Sequence, residues 1–172
     1  MKRLIATATL LLIVPVSAAA QEADHQYRGQ GYLFFAWGTG TPAYVHELIL
    51  HVGGGGEGFL YKGLGFGAEA GYANWGRGYA NAAISSADFS YHFGRHARRG
   101  RLDPFVLGGA SFLGPMQVGG GRGSPAGNYG GGANLWIADH AALRLEFRDV
   151  VGATQFWNYT HYLSWRVGMT FR

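Results

Sequence analysis

His161 and Ser164 stand three residues apart, close enough along the chain to suggest an imidazole base beside a hydroxyl nucleophile. Acyl transfer by such a pair needs both groups on one face and an acid to orient the ring. The stretch around them, THYLSWRVGMTF (160–171), reads as a strand, and positions three apart on a strand point to opposite sides. Asp139 and His140 fall in a short turn with no serine beside them. A lipid-modifying hydrolase is therefore the weaker reading, and no catalytic residue is expected. GGGGEG (53–58) has the spacing of a dinucleotide-binding loop, but FLYKGLGFG follows where that loop demands a helix. His51, His92, Glu57 and Asp88 offer ligand atoms, yet no spacing among them fixes a four-ligand set, so no metal site is expected. No cofactor signature survives.

The charged residues make better sense as partners of one another. In AALRLEFRDVV (141–151), Arg144, Glu146 and Arg148 alternate with Leu143, Leu145 and Phe147. That is the period of a strand with one charged face and one apolar face. A soluble sandwich would turn the charges to water; a membrane barrel would turn them inward and the apolar stripe to lipid.

Composition favours the barrel. Charged residues make up 14% of the 172, against about 25% in ordinary soluble domains. Aromatics reach 15%, glycines number 30, and there is no cysteine to staple an exported domain. Met1-Lys2-Arg3, an apolar run from Leu4 to Val16 and the SAAA that follows read as a secretory signal peptide over residues 1–20. Its removal takes away Lys2 and Arg3, lowering the formal charge from +4 to +2 and leaving Lys62 as the sole lysine. That balance gives no reason to expect nucleic acid as a partner. An exported, aromatic-rich and lysine-poor chain points to the bacterial outer membrane.

Eight strands can be placed in residues 21–172, at 29–37, 47–60, 64–75, 79–93, 104–113, 128–137, 141–151 and 160–171. Most approach the roughly 9–11 residues that cross a bilayer at a tilt. One set of connections is extracellular (38–46, 76–78, 114–127, 152–159) and the other periplasmic (61–63, 94–103, 138–141). The basic run Arg95, His96, Arg98, Arg99 and Arg101 lies in the periplasmic set, as a solvated turn or, more weakly, a contact for anionic headgroups. The lipid phase takes Leu48, Leu50 and Val52, then Leu64, Phe66, Ala68, Ala70 and Tyr72. It continues with Ala87, Phe89, Tyr91 and Phe93, then Leu163, Trp165, Val167, Met169 and Phe171. These lipid faces carry no charge; an Arg or Lys there would cost about 2–4 kcal/mol at the midplane.

The opposite phase holds His51, Glu57, Glu69, Asp88, His92, Arg144, Glu146, Arg148 and Arg166, with Ser90, Asn128, Asn134 and Ser164. Buried charges must be paired, and the signs of this set nearly cancel. Gly53, Gly55, Gly130 and Gly132 share the phase, as a narrow side-chain-filled lumen requires. Two aromatic belts are expected. The outer one comprises Trp37, Tyr44, Trp75, Tyr79, Phe156, Trp157, Tyr159 and Tyr162. The inner one comprises Phe59, Tyr61, Tyr91, Phe93, Phe105, Trp136 and Phe171.

The stretches HVGGGGEGF…KGLGFGAE, YHF, PFVLGG and GGGANLWIADHAALRLEFRD, with an aromatic-ended last strand, resemble the small outer-membrane β-barrels of the OmpA/OmpX type. The resemblance spans the mature chain. It implies an all-β, eight-stranded antiparallel up-and-down transmembrane barrel, with an inward network corresponding here to Glu57, Glu69, Arg144, Glu146 and Arg148. It also implies a monomer among outer-membrane lipids and lipopolysaccharide, inserted by the barrel assembly machinery and showing its loops at the cell surface. A structural or adhesive role follows, with a narrow channel as the alternative. Two features depart from the pattern: Arg172 follows the terminal aromatic, and no peptidoglycan-binding domain is expected after the last strand.

Overall fold

The computed structural model describes residues 28–40, 48–75, 80–94, 101–115, 123–154 and 157–172. The signal-peptide segment and most of the basic run at 95–101 lie outside these. The eight strands are β1 (Gly29–Gly40), β2 (Leu48–Tyr61), β3 (Leu64–Trp75), β4 (Ala80–His92), β5 (Leu102–Pro115), β6 (Ser124–Ala138), β7 (Ala141–Thr154) and β8 (Trp157–Phe171). Each pairs antiparallel with its sequence neighbours, and β1 pairs with β8 to close the barrel. Closure removes every sheet edge, the one arrangement that satisfies a strand backbone inside lipid.

The two ends of the barrel differ. At one end lie Arg28, Arg172 and two tight turns. Lys62 and Gly63 link β2 to β3 with φ of 41° and 87°, the doubly left-handed geometry whose twist matches a hairpin. Asp139 and His140 link β6 to β7. We call this the turn end and the opposite one the loop end. Arg172 clamps the turn end: its Nε donates to the Asp139 carbonyl at 2.6 Å and its guanidinium lies 3.9 Å from the Trp136 ring centroid.

Several strands outrun the sequence expectation. β5 takes in Gly114 and Pro115, β6 begins at Ser124 rather than 128, and β7 and β8 approach each other to within residues 155–156. These Gly- and Pro-rich segments have poor strand propensity, but they pair with established neighbours, as Phe112 does with Pro125 and Ala126 with Gly152. Pairing across the hairpin overrides local preference there.

The faces follow parity. Leu33, Leu50, Phe66, Phe89, Val106, Leu145 and Trp165 are exposed on the outer wall, while their neighbours in sequence are buried inside. Glycine thins the inner wall where strands must curve tightly. A Cβ on Gly132 would stand 2.1 Å from the Leu145 carbonyl oxygen of the next strand.

The aromatic belts need correction. Phe105 shares the inward phase of Asp103, Trp136 that of Asn134 and Tyr162 that of Ser164, and all three rings are buried. Phe59 also turns in, edge-on to His92 at 5.1 Å between centroids. Proximity to a strand end had assigned them to an interface, whereas parity assigns them to the lumen. Trp37, Tyr61, Tyr91, Phe93 and Phe171 do face outward. Tyr44, Tyr79 and Phe156, and the side chains of Trp75, Trp157 and Tyr159, lie outside what is described.

The turn gives a direct test. Replacing Gly63 with Ala places a Cβ at positive φ and 2.4 Å from the His92 carbonyl oxygen. Urea unfolding from lipid vesicles should show a loss of about 1–3 kcal/mol. An unchanged unfolding midpoint would refute the assigned turn geometry.

Candidate functional site: the lumen network

Arg148 sits at the centre of the lumen with no side-chain exposure. β7 delivers it between acids from three different strands. Its Nη1 lies 2.9 Å from Asp88 Oδ2 on β4 and 3.0 Å from Glu69 Oε1 on β3. Its Nε donates to Glu146 Oε1, two residues away on the same face, at 2.7 Å. Arg144 binds the other oxygen of Glu146 through Nε at 2.9 Å and Nη2 at 2.8 Å. Arg166 Nη1 donates to Glu69 Oε1 at 2.8 Å. Three guanidiniums and three carboxylates thus balance in one connected set. Charge-assisted bonds of this length are the strong class, and the low dielectric strengthens them further.

Aromatic rings complete the lining. The Arg144 guanidinium lies 4.4 Å from the Tyr32 centroid and 4.1 Å from that of Phe105. Arg166 covers Phe34 at 4.5 Å. These faces shield cations whose edges are taken by carboxylates. Tyr32 also donates its hydroxyl to Glu69 Oε2 at 3.1 Å. On the opposite wall Asn128 donates to Asp88 Oδ1 at 2.7 Å and to Ser111 Oγ at 2.8 Å.

A second cluster closes the turn end. His92 stands between two carboxylates, Nε2 at 2.8 Å from Glu57 Oε1 and Nδ1 at 2.8 Å from Asp103 Oδ2. Glu57 also accepts from Gln30 and from Ser90. The Phe105 ring stacks on the imidazole at 5.1 Å.

His51 stands apart from both clusters. The sequence groups it with the acids, but the structure gives it the Phe34 ring at 5.0 Å and the Tyr162 ring at 6.1 Å, with neither nitrogen hydrogen-bonded. Above it, toward the loop end, the lumen turns apolar: Ile49, Ala73, Ile84, Val150 and Tyr162 form a buried cluster.

Gln30, Tyr32, Phe34 and Asp103 join the lumen without having been marked by the sequence, and Phe105 joins it from the expected inner belt. Alternation carried the needed signal for β5, where Asp103, Phe105 and Leu107 share one phase and Leu102 and Val106 the other. On β1 the inward phase is mostly aromatic or apolar, so hydropathy could not mark it.

Polar groups also occur on the outer wall. Asp149 points outward from β7, is 2% exposed, and accepts from the Tyr129 hydroxyl at 2.7 Å; His161 Nδ1 lies 2.9 Å from the same oxygen. Ser164 faces the lumen and donates to the Arg148 carbonyl at 3.3 Å, so His161 and Ser164 occupy opposite faces. Among the described residues no group of three or more His, Cys, Asp or Glu is placed to hold a metal ion.

Replacing Arg148 with Met leaves three carboxylates to two guanidiniums, takes from Asp88 its arginine partner and should cost about 3–5 kcal/mol in unfolding. His51→Phe removes no polar contact and should change the same measurement far less. Equal losses for the two variants would contradict the network described above.

No known family matches the sequence, and no curated protein is significantly similar to it. Solved structures do match. The N-terminal β-barrel domain of Pseudomonas aeruginosa OprF aligns with a TM-score of 0.63 at 17% identity, covering 86% of this chain and 100% of that one. Neisserial surface protein A aligns with a TM-score of 0.65 at 11% identity, covering 83% and 96%. The outer membrane enzyme PagL aligns with a TM-score of 0.60 at 13% identity, covering 80% and 97%. The fold of this chain is that of the eight-stranded outer-membrane β-barrels.

Proposed function

We propose that this protein is an integral outer-membrane barrel with a plugged lumen, acting as a scaffold that holds its loops at the cell surface. The observation that carries this reading is Arg148 with its three acids: a fully buried, fully paired charge set filling the middle of the barrel. Eight strands leave an interior that side chains can fill, and here they do so with long residues from facing walls. The apolar outer wall supports the membrane assignment. Leu33 is 64% exposed and Trp165 59%, which suits lipid and would be costly in water.

The partners are accordingly outer-membrane lipids and lipopolysaccharide outside the wall, the assembly machinery during insertion, and an extracellular ligand for the loops. The protein works as a monomer and needs no cofactor. The lumen network of Glu57, Glu69, Asp88, His92, Arg144, Glu146, Arg148 and Arg166 is structural in this reading, and His51 lies beside it. PagL shows that the same fold can carry an enzyme. His161 and Ser164 face opposite sides, so that pair does not supply the nucleophile and base such an enzyme needs.

Two measurements test the proposal. Purified protein should run as a compact species on a gel when unheated and as a slower one after boiling, and it should fractionate with outer membranes. Reconstituted in planar bilayers, it should give no steady ionic current. Recovery in the soluble fraction would exclude the membrane assignment, and a stable open conductance would exclude the plug.

A further inference from the structure

Positive charge outside the lumen is confined to one end of the barrel. Among the described residues, every arginine and lysine outside the lumen lies at the turn end: Arg28, Lys62, Arg101 and Arg172, all exposed. The exposed acid there is Asp139. Backbone bonds distribute these cations around the rim. The Arg28 carbonyl accepts from Phe59 N of β2 at 2.8 Å, and the Arg101 carbonyl accepts from Trp136 N of β6 at 2.7 Å. Arg172 N donates to the His140 carbonyl at 3.2 Å. Lys62 occupies the β2–β3 turn, and pairing of β8 with β1 brings Arg172 to the same side of the rim as Arg28. Three of the four cations are chain neighbours of an exposed apolar or aromatic residue of the outer wall: Tyr61, Leu102 and Phe171. Lys62 Nζ lies 5.0 Å from the Tyr61 ring centroid, so cation and ring sit together at the edge of that wall.

We propose that the turn-end rim is a docking surface for anionic phospholipid headgroups, whose phosphates it holds at the level where the apolar wall ends. It rests on the membrane reading above and names the class of lipid that the barrel selects. A long cationic side chain at the end of an apolar wall keeps its stem on the wall and its charge among the headgroups. Four cationic side chains stand there against one carboxylate, so an anionic headgroup gains more at this rim than a zwitterionic one. Each Lys or Arg close to an anionic surface strengthens association several-fold, within a Debye length of the charge. An acidic protein seated on the same cations would have to cover the oily neighbours Leu102 and Phe171, which a bilayer already covers. The lipid is therefore the occupant that satisfies both halves of the rim.

Lipid selectivity at the barrel surface tests this. The purified protein is reconstituted in phosphatidylcholine vesicles carrying a trace of spin-labelled phosphatidylglycerol or of spin-labelled phosphatidylcholine, and the immobilised fraction of each label is measured. The wild type should hold phosphatidylglycerol several-fold more strongly than phosphatidylcholine, and added salt should shrink the difference. Arg28→Ser, Lys62→Asn and Arg101→Ser combined should bring the two lipids near parity. These changes keep the backbone bonds at positions 28 and 101, and asparagine accepts the positive φ of position 62. Asp139→Asn, which removes the opposing acid, should raise the preference. Compact migration without heating identifies the variants that have folded. Equal immobilisation of both lipids by the wild type would overturn the proposal. So would a preference that the folded triple variant retains or that Asp139→Asn does not raise. Failure of the wild type to insert into the vesicles would instead overturn the membrane reading on which the rim depends.

Discussion

Pairing of charge inside a closed wall is the constraint on which the rest of this structure depends. Arg148 cannot leave the lumen, because its strand is hydrogen-bonded on both sides and the apolar outer wall lies beyond. Its charge must therefore be met from within, and the acids arrive from β3, β4 and β7 itself. The contacts to Glu69 and Asp88 fix β7 against β3 and β4 across the interior. A narrow barrel has no conventional apolar centre to fix those distances, so the ion pairs and the rings over them take that part. Buried ion pairs are often no more stabilising than a good hydrophobic filling. Their geometry is more exacting, however, and a single relative height of the strands satisfies all of it at once.

The same constraint explains the placement of glycine. Arg148 and Glu146 pair in register with Gly130 and Gly132, so the long inward side chains of β7 stand beside bare backbone on β6. Gly53, Gly55, Gly130 and Gly132 share their phase, and a side chain on any of them would meet a neighbouring strand or ring. Large and absent side chains are complementary parts of one packing solution in a lumen of this width.

Much of this was legible in the sequence, through parity. Once Arg144, Glu146 and Arg148 are assigned to one face of a strand, the companion face of Leu143, Leu145 and Phe147 follows, and strands 2, 3, 4 and 8 repeat the pattern. Parity was less visible where both phases are apolar. On β1, Tyr32 and Phe34 face inward while Leu33 and Phe35 face outward, and hydropathy cannot separate them. Strand ends were also hidden, since Ser124 to Gly127 have turn-like composition and are held extended by partners distant in sequence. The contacts among Arg148, Glu69 and Asp88 depend on strand stagger, which alternation does not encode. The isolation of His51 has the same origin: its phase was readable, whereas its height above the acids was not.

Asp149 marks where the outer wall changes character. Leu48, Thr39, Leu163 and Asp149 lie in one register row across β2, β1, β8 and β7, and along that row an apolar face on β2 gives way to a carboxylate on β7. The Tyr129 phenol and the His161 imidazole close over that carboxylate and leave it 2% exposed, so this flank shows rings to its surroundings in place of a charge.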